Sequence, residues 1–269
     1  DSAAIAVRKP SGEISVDVRE IDNSRRPAIL KAPFVRGTVM LIESLVLGMN
    51  ALMYSANESA DEEEQLSGGE VALSLVVALG LFVLLFIVLP NVIVAFIQKR
   101  ISSVILVNLI EGALRVAIFI VYLVAISQMR DIQRVFAYHG AEHKTIAAWE
   151  AGEALTVDNA RRHGTAHARC GTNFLLIVML VSVLIYSLLG RQGLVERIVT
   201  RILLLPVLAG VSYELLKIAG RPDPSPIVKW ARAPGLALQR LTTREPDDSM
   251  LEVAIVSLQA VIEKDEAVN

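Results

Sequence analysis

A single cysteine, Cys170, stands in a chain of 269 residues, so no internal disulfide framework can exist. A lone thiol fits a reducing compartment, where it stays available as a ligand or nucleophile. An excess of charge of either sign is also missing. The 26 Lys and Arg meet 28 Asp and Glu, a net charge of −2. Nucleic-acid binding needs a basic face, and no nucleic-acid partner is expected. The opening stretch DSAAIAVRKPSGEISVDVRE contains no apolar run of the signal-peptide kind. Membrane insertion is therefore expected to be directed by internal segments.

Apolar side chains are present in bulk. Hydrophobic residues make up 54% and charged residues 20%, against about 45–50% and about 25% in soluble domains. Residues 1–28 predict a small β-hairpin outside the membrane, two strands around a Lys9-Pro10-Ser11-Gly12 turn with alternation from Ile14 to Val18. In 29–57, PFVRGTVMLIESLVLGMNALMYSA is helical in pattern but carries Arg36, Glu43 and Asn50. It predicts a helix lying in the interface or dipping part-way in. The acidic loop NESADEEEQLSGGE follows.

Four segments then predict transmembrane helices: Val71–Gln98 with a kink at Pro90, Ser102–Ser127, Phe174–Leu189, and roughly Ile198–Ala219. About 20 residues at about 1.5 Å each cross about 30 Å of hydrocarbon, so the third is short. Brief connections fold the four into two hairpins, 71–127 and 173–219. The polar stretch 128–172 lies between them and holds all four histidines. Residues 220–269 predict a break at GRPDPSP and then a cytosolic helix, opened by a capping box at Ser249 and Glu252. The expected fold class is an all-α membrane protein with a small N-terminal hairpin.

Lysine and arginine set the orientation. Arg130, Arg134, Lys144, Arg161, Arg162, Arg169, Lys217, Arg221, Lys229 and Arg232 fall on one side. Lys99, Arg100, Arg191 and Arg197 fall on the other. The expectation is a multi-pass protein of a bacterial inner (plasma) membrane, in contact with the lipid bilayer, with both termini and the histidine stretch cytoplasmic. A crossing by Phe34–Ser55 would put the N-terminus outside. Within the spans, Glu111 and Arg115 lie one turn apart and are expected to pair towards the bundle. Glu214 and Lys217 are read as reaching the interface. The oligomeric state is left open, with homo-oligomers among the options.

The histidine stretch carries the chemistry. In YHGAEHKTIAAWEAGE, His139 and His143 sit one helical turn apart on one face. With Glu142 they form the H-x-x-E-H arrangement of inverted zinc peptidases, two metal-binding histidines and a glutamate general base. Glu150 shares their face but lies about 10 Å along the axis from His143. It reads as an outer or substrate-facing acid, and Gly152 as the helix stop. Downstream, HGTAHARCGTNF adds His167 and Cys170. Histidine and thiolate together suit zinc or another divalent transition metal. All four ligands would close the site and make it structural, while a free His167 or Cys170 would leave it open and catalytic. Lys144 and Arg169 are candidates for an oxyanion or anion contact. His163 reads as a basic-loop residue beside Arg161 and Arg162. The bland reading, a chance H-x-x-E-H on a solvated helix, is weakened by the clustering of two histidine pairs with the lone cysteine.

At FAYHGAEHKTI, HARCGTNFLLIVMLVS and LTTREPDDSMLEVAI the chain resembles the YqhQ family, and the likeness runs nearly end to end. These are bacterial membrane proteins of unassigned biochemical function, described as predicted metal-dependent enzymes. The family pattern maps onto Tyr138, His139, Gly140, Glu142, His143, Lys144, Glu150, Gly152, His167, Arg169, Cys170, Gly171, Thr172 and Phe174, and leaves out His163. Ala168 stands where a proline is usual. A glycine-rich GGQAV-type stretch usually precedes the hairpin, and this sequence begins after it. The resemblance implies a membrane-bound metal site. The leading expectation is a metal-dependent hydrolase acting on a peptide or lipid-linked substrate. The alternative is a non-enzymatic transporter, ion-handling or assembly protein with a structural zinc site.

Overall fold

The computed structural model describes residues 2–21, 27–59, 68–190, 192–220 and 225–268. Most of the expected acidic loop, Arg191, and the Arg221 end of the GRPDPSP break lie outside them. Strands β1 (Ser2–Arg8) and β2 (Ile14–Glu20) pair antiparallel with Ala4 opposite Val18. Their turn is closed by Gly12 N–H donating to Lys9 O at 2.9 Å. The other main elements among the described residues are helices: α1 (Val35–Ser59), α2 (Gly68–Val83), α3 (Leu89–Ile97), α4 (Val104–Ile126), α5 (Arg130–Glu150), α6 (Val157–Arg161), α7 (Gly171–Ser187), α8 (Leu194–Leu203), α9 (Leu205–Ala219), α10 (Pro226–Thr242) and α11 (Asp248–Val268).

The kink expected at Pro90 takes the form of a π-turn at Leu84–Val88 that joins α2 to α3. Proline has no N–H to give and its ring crowds the carbonyl four residues back. The wider turn relieves that crowding, and the Asn91 side chain donates to Ile87 O at 2.6 Å. By length and composition α1, the joined α2–α3 and α4 are apolar enough to cross a membrane, and α8 with α9, bent by 46°, counts as a fourth. The short third span is α7, 17 residues. These helices mark a multi-pass membrane protein in contact with lipid.

Helix α1 is long enough to cross, and other parts of the fold hold both of its ends. Its first turns pack on α9, where Arg36 forks onto Glu214 at 2.7 and 2.5 Å. A Cβ at Gly210 would lie 2.3 Å from Phe34 O, so only glycine admits this approach. Its last turns return to the hairpin: Tyr54 Oη meets Ser15 Oγ at 2.7 Å, and Lys9 pairs with Glu58 at 3.2 Å. The hairpin carries Arg8, Asp17, Arg19 and Glu20 and belongs to water. Helix α1 thus joins α9 at one end to the hairpin at the other, and by length and composition it is one of the helices able to cross a membrane. Glu214 is held by Arg36 rather than reaching freely to the interface.

Helices α4 and α7 run antiparallel. Phe119 and Leu123 pack against Leu176 and Met179, and Asn108 donates to the carbonyls of Tyr186 (2.8 Å) and Leu189 (3.1 Å) at the end of α7. Arg115 pairs with Glu111 at 2.9 Å, and Glu111 is 1% exposed. Two further arginines join them. Arg197 and Arg201, 3% and 4% exposed, point from α8 at the same carboxylate. Arg197 is therefore not one of the loop charges that set orientation. Its place one turn from Arg201 on an amphipathic helix buries both.

A water-side module forms from the hairpin, α5, α6 and α11, with Ala141, Ala160, Leu251 and Ile255 at its centre. Helix α11 is capped by Asp247, which accepts from Met250 N–H at 3.0 Å, and not by Ser249. Ser249 donates to that carboxylate at 2.7 Å, and Glu252 pairs with Arg8 at 2.7 Å. Helix α10 was not anticipated, because Pro234 interrupts its pattern. It lies against α7 and reaches the histidine stretch with its last turns.

Candidate metal centre

On α5 the rings of His139 and His143 stand with centroids 4.3 Å apart. Each Nδ1 faces a main-chain carbonyl: His139 faces Thr242 O at 2.8 Å, and His143 faces Thr165 O at 2.6 Å. A carbonyl can only accept, so Nδ1 carries the proton in both rings and each Nε2 keeps its lone pair. His139 Nε2 lies 3.1 Å from Cys170 Sγ. One ligand atom from each of His139, His143 and Cys170 lies within 4.8 Å of the others. Such tethering of the distal ring nitrogen is how proteins aim imidazoles at a metal. The donor set therefore fits a divalent transition ion.

Cys170 caps the N-terminus of α7 and accepts from Thr172 N–H at 3.4 Å. Burial pushes its thiol up, but hydrogen bonds from His139, His143 and Thr172 outweigh that and bring it down to about 5. Burial also pulls His139 down, yet the hydrogen bond to Cys170 and its charge, with the Thr242 carbonyl, leave it net raised. A deprotonated sulfur is what a metal binds, and a thiol brought down to about 5 has already lost its proton at neutral pH.

The scaffold around the triad comes from far along the chain. Arg244 N–H donates to Phe136 O at 2.9 Å, laying the segment after α10 on α5. A Cβ at Gly140 would lie 2.1 Å from Arg244 O, so that contact needs glycine. Fully buried Gln239 accepts from His167 N–H (2.8 Å) and donates to His167 O (2.8 Å) and Asn173 Oδ1 (3.0 Å). Asn173 donates in turn to Ala168 O at 2.8 Å. These bonds fix the turn that delivers Cys170.

Three of the four expected ligands come together, and His167 stands beside them. Its ring centroid is 5.7 Å from that of His143, but its Nε2 faces Glu150 at 3.2 Å, and its Nδ1 accepts from Arg169 N–H at 3.4 Å. The guanidinium of Arg169, otherwise exposed, also grips Glu150. Glu150 thus meets His167 and Arg169 rather than the triad.

Lys144 departs further from expectation. Its ammonium is 3% exposed and donates to Arg161 O (3.0 Å) and His163 O (2.7 Å), with Glu245 as ion-pair partner. Those contacts use its donors to hold the loop, so they are not available for an oxyanion. Glu142 is exposed and lines a cavity of about 410 Å³ with Tyr138, Thr145, β1 and α11. His163 turns to Glu153 at 3.2 Å, away from the triad.

Sequence reasoning missed Thr165, Thr242, Gln239 and Asn173. The first two act through main-chain oxygens, which no side-chain motif records. Gln239 is 72 residues from the turn it holds.

The fold and the cluster together define a class: a helical multi-pass membrane protein with a two-histidine, one-cysteine centre at the water-side end of its bundle. Within that class the chain belongs to the family described as "Protein of unknown function (DUF1385)", whose profile matches residues 32–264. It is 33% identical over 275 residues to "Uncharacterized protein YqhQ" of Bacillus subtilis (strain 168), covering 96% of this chain and 86% of that relative. No solved structure matches it.

Proposed function

We propose that the protein is a metal-dependent hydrolase working at the cytoplasmic membrane surface on a peptide or lipid-linked substrate. His139, His143 and Cys170 would hold a zinc-type ion. One observation supports this reading above the others: three ligands converge with both histidine tautomers preset, while His167 turns away to Glu150. Three protein ligands are the pattern of catalytic zinc, and four that of structural zinc. When bound, the ion supplies Lewis-acid polarisation of the scissile group and of water.

The chain's own residues supply the rest. Glu142, one residue before His143, would accept the proton of the attacking water. Glu142 would then return that proton to the leaving group, and the His167–Glu150 pair would border the reacting group and hold Arg169 in place. Arg169, exposed beside them, would meet an anionic substrate group. Lys144 has a positioning role here, tying α5 to the loop.

The experiment is complementation of a deletion strain by Glu142→Gln, beside metal analysis of the purified variant. Full metal with lost function is expected. Full function with full metal would end the hydrolase reading, and lost metal would make Glu142 a structural residue.

A second reading has its own observation. The triad and its carbonyl partners come from α5, the loop before α7, and the end of α10, so an ion there would clip the water-side module to the membrane helices. Such a clip would suit the structural site of a transporter, ion-handling or assembly protein. Cobalt substitution separates the two, since an exogenous anion shifts the spectrum only where a coordination position is open.

A further inference from the structure

At the opposite end of α4 and α7 from Cys170, the buried charges do not balance. Arg115 approaches Glu111 at 2.9 Å, Arg201 at 3.3 Å and Arg197 at 3.8 Å. Three guanidiniums against one carboxylate leave a formal excess of two positive charges. Among the described residues, the other hydrogen-bond acceptors around them are neutral. Arg197 donates to Gln98 Oε1 at 2.7 Å, Arg201 donates to Gln192 Oε1 at 3.2 Å, and the Tyr186 ring lies 3.9 Å under Arg201. Arg115 Nε is buried without a hydrogen-bond acceptor. Glu111 is seven residues into α4, about 10 Å below its start, within the apolar length of the helix. Ions among membrane helices are costly unless paired, and a structural network alone would be expected to close near neutrality.

Beside this cluster is a cavity of about 210 Å³ with Arg115, Arg201 and Tyr186 at one end and Phe86 in its wall. Its outer walls are Phe82, Leu175, Ile202 and Leu205, all apolar and exposed. On a multi-pass protein that exterior meets lipid, so the cavity opens sideways into the bilayer. Its wall along α7 runs from Leu175 to Tyr186, about 16 Å by helix rise. A fork of guanidiniums suits a phosphate bidentately, and an apolar trough leading from it suits an alkyl chain.

We propose that this is a binding site for an anionic phospholipid entering from the bilayer, its phosphate against Arg115 and Arg201 and its chain along Phe82, Phe86 and Leu175. The phosphate supplies negative charge that the described residues lack there. Access through an apolar rim selects a lipid over a soluble anion. The site is independent of the metal centre and of the hydrolase reading.

The test uses delipidated full-length protein in neutral detergent, given phosphatidic acid or phosphatidylcholine and read by native mass spectrometry and thermal unfolding. Retention of one phosphatidic acid with a raised Tm, and no such retention of phosphatidylcholine, is expected. Arg115→Gln and Arg201→Gln should each weaken retention by roughly tenfold or more, the effect of about 1.4 kcal/mol. Leu205→Trp, which fills the mouth without altering charge, should weaken it too. Glu111→Gln should strengthen retention by removing the competing carboxylate, and it decides the matter where the arginine variants do not fold. Equal retention of both lipids, or no gain in retention for Glu111→Gln, would overturn the proposal. Equal stabilisation by inorganic phosphate alone would overturn the lipid as ligand.

Discussion

The ring of His139 has a carbonyl on one side and a sulfur on the other, and that arrangement decides its chemistry. With Nδ1–H committed to Thr242 O, Nε2 has one use, which is to accept a proton or a metal. Metal analysis should therefore separate the histidines. His143→Ala and Cys170→Ser should each lose about one ion per chain, as removal of a ligand from a small set does. His167→Ala should keep its ion, because that ring serves Glu150. Loss of metal from His167→Ala to the same degree would restore the four-ligand set. The thiol gives a second measurement at this scale. In metal-stripped protein the ultraviolet thiolate signal of Cys170 should rise through a midpoint at about 5. The thiolate fraction grows with pH, so the signal should be complete at neutrality, where an ordinary thiol is still protonated. His139→Ala removes the first of the opposing hydrogen bonds, so the midpoint should move upward. A midpoint unchanged in that variant would dissolve the pairing. The H-x-x-E-H spacing was legible because four residues make a helical turn. The partners of its outer nitrogens were not, since any residue can offer a carbonyl.

At the scale of elements, close approach matters more than propensity. Gly140 lets the segment after α10 lie on α5, and Gly140→Ala sets a Cβ against a main-chain oxygen that cannot yield alone. Its expected cost is about 1–3 kcal/mol, with weaker metal binding, since Thr242 O shifts with that segment. Gly48→Ala on α1 is the control. Nothing lies within 4 Å of its added Cβ, and it should be neutral or slightly stabilising, as helix propensity favours alanine over glycine. Thermal unfolding of the solubilised variants checks both, and equal effects would refute the packing argument. Asp247→Ala should cost about 1 kcal/mol as a lost cap. The capping-box reading at Ser249 falls two residues past the observed cap, Asp247. An acidic run, Asp247 and Asp248, offers several caps, and only the incoming chain direction selects one.

For the whole molecule, the hairpin is the reference point. It is bound to the last helix through Arg8–Glu252 (2.7 Å), Lys264–Glu20 (2.8 Å) and Ser257 donating to Ala4 O (2.9 Å). The first strand and the last helix therefore lie on one side of the membrane, which demands an even number of crossings between them. Paired cysteines in place of Arg8 and Glu252 should join within one chain under a short bis-thiol reagent in intact membranes. Failure of that link in folded protein would separate the hairpin from the last helix and break the parity argument.

Read alone, the sequence determined where helices long enough for lipid would form, where the N-terminal hairpin would turn, and which face of α5 would carry two histidines. Each of these depends on spacing within one segment, and hydrophobic length, turn residues and a 3.6-residue period are local properties. Tertiary structure decided the rest. It turned His167 to Glu150, tied Lys144 to a loop, brought Arg197 and Arg201 to a carboxylate 90 residues away in the case of Arg201, and set the last turns of α1 against the hairpin. Partners in a buried site are chosen by which charges and carbonyls folding leaves side by side, and that proximity has no local signature in the order of residues.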